Sequence, residues 1–141
     1  MHKSILFVAV FAALLYGCGS GTAATPAAST PVEVTVTETD FKIESSLKNF
    51  QKGAPYRFVV TNKGSVNHEF MIGPQMMAGQ NMSMEEMDKM ALALIKAEDL
   101  PPGATKTVDV TFKDSDRGAL EAACHVPGHY EAGMRTLFSV N

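Results

Sequence analysis

The sequence contains no tryptophan, no long basic run and no excess of positive charge. Its 141 residues carry 12 Lys and Arg against 15 Asp and Glu, giving a net charge of −3 and a pI of about 5.8. Nucleic-acid-binding proteins usually present a basic patch, so nucleic acid is not an expected partner. The residue patterns of Ser-His-Asp catalysis, P-loops and dinucleotide binding are also missing. We therefore expect a protein that is not an enzyme.

Long hydrophobic runs are few, and the longest lies at the N-terminus. The run from Ile5 to Tyr16 follows a basic residue, Lys3. It has the length of the hydrophobic region of a signal peptide and is too short to span a membrane comfortably. Gly17 before Cys18 resembles the processing site of bacterial lipoproteins. We expect a signal peptide at 1–17 and an exported chain, in the periplasm or at the cell surface, anchored to the membrane through lipidated Cys18. The alternative is an ordinary cleaved signal near the same point.

Cysteine is scarce, since Cys18 and Cys124 are the only two in the chain. Two cysteines of an exported protein could form one disulfide. Lipidation of Cys18 would instead leave Cys124 alone. A free thiol in an oxidising compartment is prone to reaction unless something occupies it. A bound metal ion would protect Cys124.

Residues 18–31 are small and polar with interspersed prolines, which predicts a flexible tether. The remaining residues, 32–141, are expected to form one domain. Val32, Val34 and Val36 alternate with polar residues, which predicts a half-buried strand. Further apolar or alternating runs are Phe41 to Ile43, Tyr56 to Thr61, Val66 to Ile72, Thr105 to Phe112, Leu120 to Cys124 and Thr136 to Val140. About seven short strands separated by turn residues predict an all-β protein, an antiparallel β-sandwich.

One segment is typical of a helix rather than a strand. Ser83 and Glu86 form the pattern of a capping box. The residues that follow at helical spacing form an apolar stripe: Met87, Met90, Ala91 and Leu94. We therefore predict a helical insertion at about 83–97, with Met87 and Met90 packed against the core.

The segment from Cys124 to Met134 offers three metal-binding side chains at intervals of five residues: Cys124, His129 and Met134. His68 can supply a second imidazole from a distant strand. Two histidines and a cysteine with a weak axial methionine form the ligand set of blue-copper electron-transfer sites. Thiolate and thioether favour Cu(I) and imidazoles serve Cu(II), so this mixture suits a copper ion that changes charge. We predict that these four residues bind one copper ion.

The run CHVPGHYEAGM resembles the copper loop of the cupredoxin family, which includes plastocyanin, azurin and rusticyanin. Its spacing is closer to that of rusticyanin and of multicopper oxidases than to the shorter loop of plastocyanin. The stretches GAPYRFVVTN before the first histidine and LPPG before Thr105 are similar to the same fold. The resemblance implies a Greek-key β-sandwich, one type 1 copper, His68, Cys124 and His129 as equatorial ligands and Met134 as the axial ligand.

Two departures from the family pattern affect this interpretation. Plastocyanins and azurins commonly place Asn or Ser after the first histidine ligand, where it braces the cysteine loop, whereas this chain has Glu69. Multicopper oxidases place His on both sides of the cysteine and carry His-x-His pairs. Here Ala123 precedes Cys124 and no His-x-His pair occurs. Oxygen reduction by this chain alone is therefore not expected.

Several polar or sulfur-containing residues have less certain roles. His125 follows Cys124 directly, so a strand-like geometry would turn it to the opposite face. We expect it to be partly exposed and not a ligand. The loop methionines could form a second Cu(I) site, a partner surface or simple packing: Met76, Met77, Met82 and Met84. Four acidic residues are expected in a solvated turn and rim: Asp114, Asp116, Glu121 and Glu131.

The expected function is electron transfer as a monomeric, membrane-tethered carrier with redox proteins of the cell envelope as partners. The alternative is copper storage, delivery or resistance, using the same site together with the Met-rich loop. A zinc-binding or metal-free structural sandwich is a third interpretation, and it is disfavoured because zinc rarely recruits Met.

Overall fold

A computed structural model describes residues 29–76 and 82–141. The signal segment 1–17, Cys18 and Met77 lie outside the described residues, so the structure does not test the predictions made for them. None of the helices in the described ranges is long and apolar enough to cross a membrane.

The described chain forms two facing sheets. The first contains β1 (Val32–Thr39), β2 (Lys42–Ser45), β4 (Pro55–Asn62) and β7 (Thr105–Thr111), in the order β2-β1-β4-β7. The second contains β3 (Asn49–Phe50), β5 (Phe70–Pro74), β6 (Ala93–Ile95), β8 (Gly118–Ala123) and β9 (Arg135–Val140), in the order β3-β9-β8-β5-β6. This arrangement confirms the predicted β-sandwich. Most pairs are antiparallel, but β1 pairs with β4 and β3 with β9 in parallel.

The core lies between the sheets and is rich in aromatic rings. Alternate residues of β1 point inward, with Val34 and Val36 fully buried. Phe50 sits at the centre and contacts four other rings: Tyr56, Phe58, Phe112 and Phe138. This apolar layer fixes the strands whose ends carry the candidate site.

The helix is shorter than predicted. Ser83 caps α1 (Met84–Met90) through the expected capping box with Glu86. The chain leaves the helix at Ala91, and Ala93–Ile95 pairs with β5 as a strand. Pairing with the free edge of β5 therefore overrides the helical period of the sequence. Met87 packs inside as predicted, whereas Met90 is 36% exposed.

Two predicted strands have different bounds in the structure. Phe41 lies in the turn between β1 and β2 with a φ of 65°, so it does not continue the alternation. The predicted strand from Val66 to Ile72 begins only at Phe70. The Asn62 amide donates hydrogen bonds to the carbonyls of Val66 (2.8 Å) and Leu100 (2.9 Å). These bonds stabilise a folded-back segment in place of a strand.

Candidate metal centre

Three of the predicted ligands meet at one end of the sandwich. His68, Cys124 and His129 form a group whose potential ligand atoms all lie within 4.8 Å of one another. His129 Nδ1 is 3.3 Å from His68 Nδ1 and 3.4 Å from Cys124 Sγ. His68 and Cys124 are fully buried, and His129 is 9% exposed. The fold thus brings His68 and Cys124 together although they are 56 residues apart in the sequence.

The loop between β8 and β9 is folded back on itself by backbone hydrogen bonds. The Cys124 N–H donates to the Met134 carbonyl (3.1 Å), and the Met134 N–H donates to the His129 carbonyl (3.0 Å). Gly128 and Gly133 have φ values of 86° and 95°, which favour glycine. These contacts bring the start, middle and end of the loop together.

Met134 is the fourth predicted ligand. It is fully buried and belongs to the same apolar cluster as Cys124. Its main chain is hydrogen-bonded to both Cys124 and His129, so the fold places it at the exit of the loop next to these two donors. That these four residues bind the metal remains a prediction, and this geometry is compatible with it.

The sulfur of Cys124 is held in a dry environment. Burial raises the pKa of the thiol to about 11. The Glu69 N–H donates a 3.3 Å hydrogen bond to Sγ and acts in the opposite direction. Without a cation the thiol is therefore protonated at neutral pH, and a bound metal ion would favour the thiolate.

His68 is oriented by a neighbouring turn. Its Nδ1 faces the other donors, whereas Nε2 lies 3.4 Å from Asp40 Oδ1. Burial and the nearby His129 hold the pKa of His68 below its usual value, which favours a neutral imidazole with a free lone pair. Two hydrogen bonds from Ser65 hold the pKa of Asp40 below its usual value, so Asp40 is ionised at neutral pH.

His125 is buried, contrary to the prediction that it is partly exposed. It is 8% exposed, its Nδ1 lies 3.1 Å from Glu69 Oε1, and its ring stacks on Tyr130 with centroids 5.2 Å apart. The contact at Nδ1 and the stacked ring offset part of the cost of burial, although Nε2 has no hydrogen-bond partner among the described residues. His125 is outside the group of three donors.

Glu121 is also buried, although the sequence placed it on a solvated rim. It is 1% exposed, and its Oε1 accepts hydrogen bonds from the Met76 N–H (2.9 Å) and the Tyr130 hydroxyl (2.8 Å). Glu121 thereby connects the start of the Met-rich loop, at Met76, to the loop between β8 and β9, at Tyr130. Asp114 and Glu131 are exposed, as predicted, and Asp116 is half-buried.

Glu38 is a further buried acid that sequence reasoning did not single out. It is fully buried, and neither carboxyl oxygen has a hydrogen-bond partner among the described residues. Burial, and then the charge of Glu69, raise its pKa to about 8. The only sequence signal for its burial is the alternation of β1, which places Glu38 on the same inward face as Val34 and Val36.

The methionines of the loop differ in exposure. Met84 is 42% exposed, Met76 and Met82 are half-buried, and Met77 lies outside the described residues.

The chemistry of the donors fits one metal ion in particular. Two imidazoles, a buried thiol and a buried thioether form the mixed set of type 1 copper sites. Zinc sites use imidazole, thiolate and carboxylate but rarely thioether. The Nδ1 atoms of His68 and His129 face each other without a protein atom between them. Copper is therefore the cofactor that this site fits, as predicted.

Solved structures of other proteins share the fold of this chain. A reduced auracyanin from Roseiflexus castenholzii superposes with a TM-score of 0.57 at 20% identity, covering 80% of this chain and 98% of auracyanin. Rusticyanin from Thiobacillus ferrooxidans gives 0.58 at 15% identity and covers 79% of each chain. These likenesses show the fold. Both are structures with the cupredoxin fold, and the cluster of His68, Cys124 and His129 agrees with the ligand set that the sequence resemblance implies.

Curated proteins give higher sequence identities than these solved structures. The chain is 30% identical over 108 residues to the copper-resistant cuproprotein CopI of Rubrivivax gelatinosus, covering 73% of this chain and 61% of that protein. It is 36% identical over 86 residues to CopI of Vibrio cholerae, covering 55% and 46%. The chain thus spans less than two thirds of the length of these two relatives. No protein-family model matches it.

Proposed function

We propose that this protein is a type 1 copper protein that transfers single electrons. The observation that carries the proposal is the convergence of buried His68, Cys124 and His129 at the end of the sandwich, with buried Met134 at the loop exit. Copper bound there would supply one-electron exchange between Cu(II) and Cu(I). The protein would hold the donors in one geometry and exclude water from the thiolate, so that little rearrangement accompanies the change of charge.

The test is titration of the purified domain with Cu(II). We expect an intense visible band from charge transfer between the Cys124 thiolate and copper, at one copper per chain. Cys124→Ser should abolish the band, and circular dichroism should show that the variant is still folded. A band that survives in Cys124→Ser, or its absence in wild type, would refute the proposed site.

A role in copper resistance is the second candidate. Both curated relatives described above bear the name copper-resistant cuproprotein, which favours this role. The same four side chains would hold the copper. The exposed Met84 and half-buried Met76 and Met82 could receive additional Cu(I) through soft thioethers.

Two measurements separate the candidates. A carrier should bind one copper and show rapid electron self-exchange between its reduced and oxidised forms. A resistance protein should protect cells, so that deletion of its gene lowers growth at elevated copper. The Cys124→Ser gene should then fail to restore growth. If the exposed Met84 contributes to resistance, the Met84→Leu gene should restore growth only in part. Full restoration by Met84→Leu would assign resistance to the main site.

We further propose that the chain acts in the cell envelope, tethered through Cys18 and with redox proteins as partners if it is an electron carrier. Support comes from the signal-like segment 1–17, Cys18 and the polar tether that follows. Metabolic labelling with a tagged fatty acid should mark the wild-type protein and not Cys18→Ser. Equal labelling of both would refute lipidation at this residue.

A further inference from the structure

The turn between β1 and β2 touches both imidazoles of the site. Asp40 Oδ1 lies 3.4 Å from Nε2 of His68. The next residue, Phe41, places its ring edge-on to the His129 ring, with centroids 5.5 Å apart and planes at 75°. Two adjacent residues outside the donor set therefore each contact a different histidine.

Asp40 is the only carboxylate within 4 Å of His68 Nε2 in the described part of the chain. Nε2 is buried and has no well-aligned hydrogen-bond partner there, so it has lost its contact with water. Metal-binding histidines usually turn their second ring nitrogen to a carboxylate, carbonyl or water, which fixes the tautomer. A proton on Nε2 facing Asp40 leaves the lone pair of Nδ1 directed at the other donors.

Asp40 is itself held in place. The Ser65 N–H donates to Oδ1 (3.0 Å), and the Ser65 hydroxyl donates to Oδ2 (2.8 Å). A Cβ added at Gly64 would collide with Asp40 Oδ1 and His68 Nε2, so the backbone of this neighbouring turn closes tightly on the pair. The carboxylate is therefore fixed rather than freely rotating in solvent.

Phe41 adopts a backbone conformation that its side chain disfavours. Its φ is 65°, which is uncommon and energetically unfavourable for a bulky residue. The residue is also 53% exposed, so burial does little to offset that cost. What the conformation achieves is contact with His129, the most exposed of the three clustered donors.

We propose that the Asp40–Phe41 turn is a clasp on the metal site, which positions both imidazoles and slows the exchange of copper with external ligands. This inference rests on the proposed copper site. Asp40 fixes the orientation and tautomer of His68, and its negative charge attracts the nearby cation. Phe41 restrains His129 and covers the side from which a competing ligand would approach it.

The test is the rate at which Cu(I)-loaded protein gives up its metal to an excess of bathocuproine disulfonate. Asp40→Ala should release copper about 10–100-fold faster, the usual scale for loss of a partner that orients a ligand. Phe41→Asn removes the ring but keeps a residue that tolerates positive φ, and it should also release copper faster. Val32→Asn removes an exposed apolar side chain at the far end of β1 and is the matched control with an unchanged rate.

A second readout separates positioning from general loosening. In the copper-free protein, nitrogen NMR shifts should show the Nε2–H tautomer of His68 in wild type and a mixture in Asp40→Ala. Asp40→Asn retains an oxygen acceptor and should restore the wild-type tautomer. Normal copper loading with wild-type release rates in both Asp40→Ala and Phe41→Asn would overturn the clasp while leaving the copper site intact. Failure of wild type to bind copper would instead refute the proposed function.

Discussion

Glu69 Oε1 lies 3.1 Å from His125 Nδ1, and both side chains are buried. The contact joins the residue after the first histidine of the site to the residue after the cysteine. The Glu69 main chain also donates its N–H to Cys124 Sγ. Where plastocyanins and azurins commonly use Asn or Ser to brace the cysteine loop, this chain uses a carboxylate and an imidazole. Glu69 thus braces the cysteine loop although it departs from the usual Asn or Ser at this position.

Removal of the Glu69 carboxylate should destabilise the loop without removing a donor. In Glu69→Ala, His125 Nδ1 loses its partner in a buried place, and we expect the free energy of unfolding to fall by about 1–3 kcal/mol. The charge-transfer band should persist because the hydrogen bond to sulfur comes from the main chain. Denaturant unfolding and copper titration measure the two effects. Glu44→Ala, at an exposed position, is the control and should change stability by less than about 0.5 kcal/mol. Equal stability of Glu69→Ala and wild type would contradict the bracing role.

Cys124, His129 and Met134 could be proposed as donors from the sequence because their chemistry and their spacing within one loop are both local signals. The burial of His125, Glu121 and Glu38 could not be predicted, because it depends on partners brought in from other strands. Glu69 reaches His125 across 56 positions, and Tyr130 reaches Glu121 across the β8–β9 loop. The end of the helix at Ala91 likewise depends on the open edge of β5. Periodicity along one segment carries no information about such long-range partners.

Met134→Leu tests the axial ligand with little change in core volume. If the thioether contacts copper, its loss should destabilise the more highly charged Cu(II) more than Cu(I), and the reduction potential should rise. The charge-transfer band should remain, since the Cys124 thiolate is unchanged, although its shape should alter. Stability should change by less than about 1.5 kcal/mol, as for other swaps of similar volume. Voltammetry provides the potential, and a value equal to that of wild type would exclude Met134 as a ligand.

Gly64→Ala should disturb the metal site from outside it. The added Cβ would collide with Asp40 Oδ1 and His68 Nε2, and fixed hydrogen bonds prevent Asp40 from moving aside easily. We expect weaker copper binding by about tenfold or more, the scale for disturbance of a ligand's supporting partners. Gly73→Ala is the control, because its Cβ would meet the flexible end of Met71 at 3.2 Å. Competition with a chelator measures both affinities. Wild-type affinity in Gly64→Ala would show that the turn can relax without moving His68.

Glu38 should make the copper-free protein less stable as the pH rises. Its pKa is raised by burial from 4.5 to about 8, so the folded state keeps a proton that the unfolded state has already released. Stability from this group is complete below about pH 4.5 and is lost as the pH rises through about 8, with a slope of at most about 1.4 kcal/mol per pH unit for one proton. Glu38→Gln removes the titration and should flatten the decline between pH 5 and pH 8 in denaturant midpoints. The exposed Glu33→Gln serves as the control and should leave the slope unchanged. An identical slope in wild type and Glu38→Gln would mean that Glu38 is ionised inside the fold.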